Sequence, residues 1–170
     1  MKLDNKEIDA LRELLSLNQN QKDPILKNIY NKIDSKLDSF SMYIDGAADL
    51  HSKTSGIGGV IYKDSEEIFT FSEYVHDSTN NEAEYGALIF GLKSLLKLSI
   101  INIVIYSDSE LVVKQVNGEY KVKNDRMKKL HAETLSLLSN LQKWDLVHVL
   151  RDKNGVADKL ATDGRLKNNL

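Results

Sequence analysis

The stretch Phe40-Ser41-Met42-Tyr43-Ile44-Asp45 alternates apolar and polar side chains, which is the two-residue period of a β-strand with one buried face. Two further runs with the composition of strands follow at residues 56–62 and 67–72. A short polar turn at residues 63–66 separates them. Three strands with such short connections predict an antiparallel meander.

Beyond this meander, helical and strand patterns alternate. Apolar side chains recur every three or four positions in four segments, which predicts helices at residues 81–98, 109–117, 124–141 and 156–166. Short apolar runs between these segments predict strands at residues 103–106 and 145–150. A strand–helix–strand alternation after a meander indicates an α/β fold, with a mixed sheet that has helices on both faces.

The segment ahead of the meander has a purely helical pattern. Residues 1–38 have apolar side chains at helical spacing, interrupted by a polar stretch at residues 18–22, and Asp23 followed by Pro24 is typical of the start of a second helix. We therefore expect a helical extension to a domain that spans residues 39–170. We expect its apolar stripe to serve packing within a monomer, with a dimer through these helices as the alternative.

Composition limits the class of protein. The 170 residues include no cysteine, which rules out disulfides and thiolate metal sites. The polar N-terminus lacks the apolar core of a signal peptide, and no apolar run approaches the ~20 residues that span a bilayer, so we expect a cytoplasmic protein. The net charge of −2 argues against a protein that coats nucleic acid non-specifically, although basic residues cluster between positions 114 and 129.

Four carboxylates occupy positions where a single unpaired acid is costly to desolvate. Asp45 lies in the first strand, Glu84 on the inner face of a helix, Asp108 after an apolar strand, and Asp158 at the start of the last helix. Taken singly, three of them have ordinary alternatives: a turn for Asp45, a helix cap for Asp108 and a first-turn acid for Asp158. Four together are better explained if they converge on divalent cations, because oxygen ligands suit Mg²⁺ and paired cations suit in-line phosphoryl displacement.

The order and context of these acids resemble ribonuclease H of type 1, also called ribonuclease HI. The resemblance covers roughly residues 41–167 and rests on the motifs T-N-N-x-A-E, S-D-S-E-L-V-V and H-V-x-R-x-x-N-x-x-A-D. It implies a five-stranded mixed sheet of order 3-2-1-4-5, with three antiparallel and then two parallel strands. It also implies an endoribonuclease that hydrolyses the RNA strand of RNA–DNA hybrids to 5′-phosphate and 3′-hydroxyl ends. In that family the four acids hold two Mg²⁺ ions, for which Mn²⁺ substitutes.

The same resemblance assigns the remaining site residues. Arg151, expected at the end of the last strand, is free to reach the substrate phosphate, whereas His148 inside that strand is the less favoured candidate for this role. Asparagine suits a 2′-hydroxyl because its amide both donates and accepts hydrogen bonds. Asn80 or Asn81 is alternatively the cap of the following helix. The expected substrate contacts are Gly46, Thr79, Asn80, Asn81, Lys121, Lys123 and Asn124.

One segment departs from the common family pattern. Residues 118–123 are short and contain no tryptophan, where many relatives have a basic, tryptophan-bearing handle that grips the DNA strand. The chain therefore resembles a branch without this handle, which predicts weaker hybrid binding and stronger salt sensitivity. Two other classes of function are alternatives. A catalytically silent hybrid- or duplex-RNA-binding module is disfavoured by the presence of all four acids, and a DNA nuclease of the same fold is disfavoured by the T-N-N and V-K-N elements.

Overall fold

A five-stranded mixed sheet organises residues 39–167 of the computed structural model, which describes residues 5–17, 19–20, 22–34 and 39–167. The strands are β1 (Phe40–Asp49), β2 (Thr54–Lys63), β3 (Glu66–His76), β4 (Asn102–Ser107) and β5 (Lys143–His148). The helices are α1 (Asn5–Ser16), α2 (Pro24–Asp34), α3 (Asn80–Lys97), α4 (Glu110–Val116), α5 (Asp125–Leu138) and α6 (Gly155–Leu166). The strand order is β3-β2-β1-β4-β5, antiparallel from β3 to β1 and parallel from β1 to β5. The predicted fold class and strand order are confirmed.

The chain divides into two units, Met1–Asp38 and Ser39–Leu170. Within the first unit, α1 packs against α2. Oδ1 of Asp23 accepts hydrogen bonds from the backbone amides of Ile25 and Leu26 at 2.8 and 3.1 Å, which is the capping that the sequence predicts for α2. None of the helices in the described parts of the chain is both long enough and apolar enough to cross a membrane.

Helices cover both faces of the sheet, and glycines set how closely they approach. At Gly46 of β1, a Cβ atom would lie 2.3 Å from the backbone nitrogen of Glu84 in α3. At Gly58 of β2, which pairs with Asp45 and so faces the other side, a Cβ atom would lie 2.2 Å from the backbone nitrogen of Ala161 in α6. A side chain at either position would push a helix away from the sheet. The contact at Gly46 is what brings Glu84 close to Asp45.

The last strand ends earlier than its side-chain pattern predicts. It spans Lys143–His148 rather than residues 145–150. The reason is its partner: β4 ends at Ser107, which pairs with His148, so the ladder of hydrogen bonds stops there. His148 is therefore the last residue of β5 rather than an interior one. Arg151, which was expected at the end of the strand, lies instead in a short 3-10 turn, Arg151–Lys153.

Candidate active site

Three carboxylates from different elements meet in one cleft. Asp45 lies within β1, Glu84 lies near the start of α3, and Asp108 directly follows β4. One oxygen from each of these side chains lies within 4.8 Å of the other two. The cleft has a volume of about 940 Å³, and Asp158 at the start of α6 also lines it. The structure thus brings three of the four predicted acids into one cluster and places the fourth on the same cleft.

Burial and mutual repulsion change the acidity of the cluster. Asp45 and Glu84 have only 5% and 6% of their surface exposed. Burial, with the negative charges of Asp108 and Asp158, raises the pKa of Asp45 to about 7. Burial and the charges of Asp45 and Asp108 raise the pKa of Glu84 to about 9, against a smaller opposing effect of the Gly46 amide. Without a cation, the cluster therefore holds protons at neutral pH.

The cluster fits a hard divalent cation. All of its potential ligand atoms are carboxylate oxygens, which Mg²⁺ and Mn²⁺ prefer. In the same cluster, Oε2 of Glu84 is a buried atom with no hydrogen-bond partner among the described residues. A buried polar atom of this kind calls for an explanation, and a bound cation supplies one. Asp45, Glu84 and Asp108 are the residues that can hold the metal, with Asp158 beside them.

Arg151 and Asp158 form an ion pair on the wall of the cleft. A guanidinium nitrogen of Arg151 donates to Oδ1 of Asp158 at 2.5 Å, and this interaction raises the pKa of Arg151. The arginine is therefore paired with one of the predicted acids, a contact that the sequence did not indicate. Because 79% of the Arg151 side chain is exposed, the pair adds little stability and the guanidinium can exchange partners. His148 also lines the cleft and is exposed, so the structure places both candidates for this role at the site.

The predicted substrate contacts fall into two groups. Gly46 and Asn80 line the cleft with the acids. The others line a second depression of about 440 Å³, which also includes Arg126. Members of this second group are Thr79, Asn81, Lys121, Lys123 and Asn124.

Thr79 caps α3, so the alternative capping role for Asn80 or Asn81 is wrong. The Thr79 hydroxyl accepts a hydrogen bond from the backbone amide of Glu82 at 3.3 Å. The Glu82 carboxylate accepts one from the backbone amide of Thr79 at 2.9 Å, which completes a capping box. Asn80 and Asn81 are both exposed at the start of the helix. Neither asparagine side chain is needed to begin α3.

Two other polar side chains have local roles that the structure resolves. Oδ1 of Asn124 accepts hydrogen bonds from the backbone amides of Arg126 and Met127, so Asn124 caps α5 and the helix begins one residue later than predicted. Asp108 is not the cap of α4, because Ser109 occupies that position. The alternative reading of Asp108 as a helix cap is therefore wrong, and its carboxylate is available to the cluster.

Asn154 connects the segments that hold the acids, and the sequence assigned it no role. Its side-chain amide donates to the backbone oxygen of Ile44 at 2.9 Å and to Oδ1 of Asp108 at 2.8 Å. Its backbone oxygen accepts a hydrogen bond from the amide of Asp158 at 3.0 Å. The available sequence signal was its place in the motif H-V-x-R-x-x-N-x-x-A-D, four residues before Asp158.

Another part of the cleft wall also went unpredicted. Arg165 of α6 lies 3.3 Å from Oδ2 of Asp49, and both residues line the cleft. Oδ1 of Asp49 accepts a hydrogen bond from the backbone amide of His51 at 2.9 Å, and His51 lines the cleft too. Arg165 and Asp49 are far apart in the chain, so no local pattern indicates that they pair.

Comparison with known proteins places this site in a family. The family model described as "Reverse transcriptase-like" matches residues 43–164. A bifunctional protein of Mycobacterium tuberculosis is 34% identical over 121 residues, which are 70% of this chain and 33% of that protein. Ribonuclease HI of Halobacterium salinarum is 30% identical over 122 residues, which are 71% of this chain and 61% of that protein. The chain thus spans about a third of the first relative and less than two thirds of the second.

Solved structures agree with these matches. The crystal structure of RNase H1 from Halobacterium salinarum has a TM-score of 0.72 and 28% identity, covering 76% of this chain and 98% of that one. LC11-RNase H1, isolated from compost and solved in complex with an RNA/DNA hybrid, has a TM-score of 0.73 and 31% identity, covering 78% of this chain and all of that one. Because the family model matches residues 43–164 and LC11-RNase H1, at 31% identity, is covered over its whole length, this protein belongs to the ribonuclease H type 1 family.

Proposed function

We propose that this protein is an endoribonuclease that hydrolyses the RNA strand of RNA–DNA hybrids and depends on divalent cations. The products would have 5′-phosphate and 3′-hydroxyl ends. The observation that supports this most strongly is the cluster of Asp45, Glu84 and Asp108, in which three carboxylates lie within 4.8 Å and one buried oxygen has no partner in the described chain. Such a cluster on this family's fold is explained by metal binding and by little else.

The cations would be two Mg²⁺ ions, with Mn²⁺ as a substitute. Asp45, Glu84 and Asp108 would hold them, together with Asp158 on the same cleft. When bound, the cations supply Lewis-acid chemistry, which is activation of a water and stabilisation of the departing 3′ oxygen. Loss of protons must accompany binding at neutral pH, because burial and repulsion raise the pKa of Asp45 to about 7 and that of Glu84 to about 9 in the cation-free site.

Arg151 is the residue that we assign to the reacting phosphate. Its exposed guanidinium stands on the wall of an acidic cleft, where it offsets the repulsion between the carboxylates and an anionic backbone. A guanidinium can leave one carboxylate for a phosphate because both present oxygens that match its planar fork. His148 at the end of β5 is the alternative for this role.

The second depression is suited to the backbone of the DNA strand. Lys121, Lys123 and Arg126 supply positive charge there, and Thr79 and Asn124 supply polar atoms. Asn80 lines the cleft and Asn81 lines the second depression, and both are exposed at the start of α3. Their amides can form hydrogen bonds with a 2′-hydroxyl, which only the RNA strand has. The LC11-RNase H1 structure contains an RNA/DNA hybrid, which supports the same class of substrate here.

A cleavage assay with three substrates tests this proposal. Labelled RNA–DNA hybrid, duplex RNA and duplex DNA are incubated with Mg²⁺, with Mn²⁺ or with EDTA, beside the Asp45→Asn variant. We expect cleavage of the RNA strand of the hybrid with either metal and none with EDTA or the variant. Hybrid cleavage that survives EDTA or the substitution would refute the metal-dependent mechanism, and binding without cleavage would indicate a silent module.

A cytoplasmic location and a monomeric state remain part of this proposal, and sedimentation of the full chain tests the latter.

A further inference from the structure

Asn154 is a buried residue whose side-chain amide donates to Asp108 and to the residue before Asp45. Only 1% of its surface is exposed. Its amide contacts Asp108 directly and holds the backbone oxygen of Ile44, the residue before Asp45. Its own backbone oxygen receives the amide of Asp158. One residue is thus bonded to the segments that present three of the four acids.

We propose that Asn154 is a positioning residue that holds the Asp108 carboxylate in the orientation required for a divalent cation. This inference rests on the metal-dependent function proposed above. The carboxylate of an aspartate rotates broadly about its terminal torsion. A hydrogen bond of 2.8 Å from a buried amide to Oδ1 of Asp108 restricts that rotation and leaves the other lone pairs for the cluster.

The orientation of the Asn154 amide follows from its partners. A backbone carbonyl and a carboxylate only accept hydrogen bonds, so the nitrogen must face Ile44 and Asp108. The oxygen of the amide then points away, and within the described part of the chain it is buried without a hydrogen-bond partner. An apolar side chain of similar size would avoid that unfavourable burial. The amide is therefore better explained by its action on Asp108 and Ile44 than by packing.

Asparagine is also the appropriate chemistry for this task. It donates to Asp108 without adding charge, whereas a lysine or arginine would neutralise the carboxylate and a further acid would repel it. Partners that hydrogen-bond to a metal-ligating group commonly change metal affinity by about 10- to 100-fold when they are removed. We expect an effect of this size for Asn154.

The test compares Mn²⁺ affinity across matched variants, by calorimetry and by electron paramagnetic resonance of free Mn²⁺. Asn154→Leu keeps most of the buried volume but removes the donor. Asn117→Ala is the control, because Asn117 also donates its side-chain amide to a backbone oxygen, that of Leu146 at 3.0 Å, away from the cluster. We expect about 10- to 100-fold weaker Mn²⁺ binding for Asn154→Leu and wild-type binding for the control. The Mg²⁺ concentration at half-maximal cleavage should rise by the same factor.

Repeating the measurement in an Asp108→Ala protein separates the positioning of Asp108 from general damage to the fold. If Asn154 acts through Asp108, Asn154→Leu should weaken Mn²⁺ binding little further in an Asp108→Ala protein. An equal loss of affinity in both backgrounds, or an unchanged affinity in the single variant, would overturn the inference. Absence of Mn²⁺ binding in the wild-type protein would instead refute the proposed function. Should Asn154→Leu fail to fold, Asn154→Ala, which also removes the donor, is titrated in its place, and wild-type affinity there would count against the inference.

Discussion

Replacing Glu84 by glutamine should stabilise the protein in the absence of metal while removing its activity. The Glu84 carboxyl is buried beside Asp45 and Asp108, which raises its pKa to about 9 from an ordinary value of 4.5. In the unfolded chain the group ionises above pH 4.5, whereas in the folded chain it must stay protonated. Each pH unit in that interval is worth about 1.4 kcal/mol, so at pH 7 the wild-type fold is about 3 kcal/mol less stable than it would be with a neutral side chain.

The raised pKa of Glu84 determines how the stability difference between the variant and the wild type changes with pH. A raised pKa on an acid means that the stability is fully present below pH 4.5 and is lost as the pH rises toward 9. Glu84→Gln has no such loss, so its advantage over the wild type should be near zero at pH 4.5 and grow to about 3 kcal/mol at pH 7. For a domain of this size that is a rise in melting temperature of about 6–12 °C. Calorimetric unfolding in EDTA between pH 4.5 and 8.5 measures it.

Glu82→Gln is the matched control, because the same change is made two residues away in the same helix. Hydrogen bonds from Thr79 lower the pKa of Glu82, so its contribution to stability is present above the ordinary pKa and is lost as the pH falls. This variant should be less stable than the wild type at pH 7 and equal to it in acid. A Glu84→Gln protein that is no more stable than the wild type at pH 8, or whose gain does not change with pH, would refute the reasoning.

Three further sets of substitutions test the geometry of the site and of the substrate surface. Gly46→Ala should lower the free energy of unfolding by about 1–3 kcal/mol or more, since its Cβ would lie 2.3 Å from backbone atoms of α3. Gly155→Ala is the control, because no atom of a neighbouring element lies within 4 Å of its Cβ. Its free energy of unfolding, measured by chemical denaturation, should equal or exceed that of the wild type. Lys121→Ala and Lys123→Ala should each raise KM with kcat unchanged and should reduce the salt dependence of hybrid binding by about one counterion; hydrolysis that is insensitive to salt in the wild type would contradict this. Arg151→Ala should lower kcat by about 10²-fold in single-turnover kinetics with little change in hybrid affinity, and an unchanged kcat would remove it from the mechanism.

Much of the fold could be predicted because its signals are local. Side-chain alternation in β1 and the helical period of α3 are properties of short windows, and a meander followed by strand–helix alternation leaves few possible sheets. The acids could be found for the same reason, since Asp45, Glu84 and Asp108 each have a distinctive immediate context. That these acids converge could be predicted because the resemblance to the family implied that β1, the start of α3 and the end of β4 lie side by side.

The parts that could not be predicted depend on contacts between distant residues. The side chain of Asn154 bonds to residues 46 and 110 positions away, and no window of sequence contains both partners. The end of β5 depends on where β4 stops, because a strand continues only as long as its neighbour does. Arg151 pairs with Asp158 from a 3-10 turn that follows β5, whereas the sequence pattern placed it at the end of the strand.

The arrangement of the site links stability to function in one physical step. Contact at Gly46 brings a helix carboxylate to a strand carboxylate, and the resulting repulsion and burial oppose the ionised state that a cation requires. A cation that displaces these protons and binds only the folded state would stabilise the fold by an amount that grows with the logarithm of its free concentration above the dissociation constant. On the proposed function, the fold tolerates an unfavourable cluster because the same cluster, once deprotonated, would bind ions that offset its repulsion. Removing the contact at Gly46 would move Glu84 away from Asp45, which would relieve their repulsion and also weaken cation binding. The stability of the metal-free fold and the affinity for cations therefore cannot be increased independently of each other.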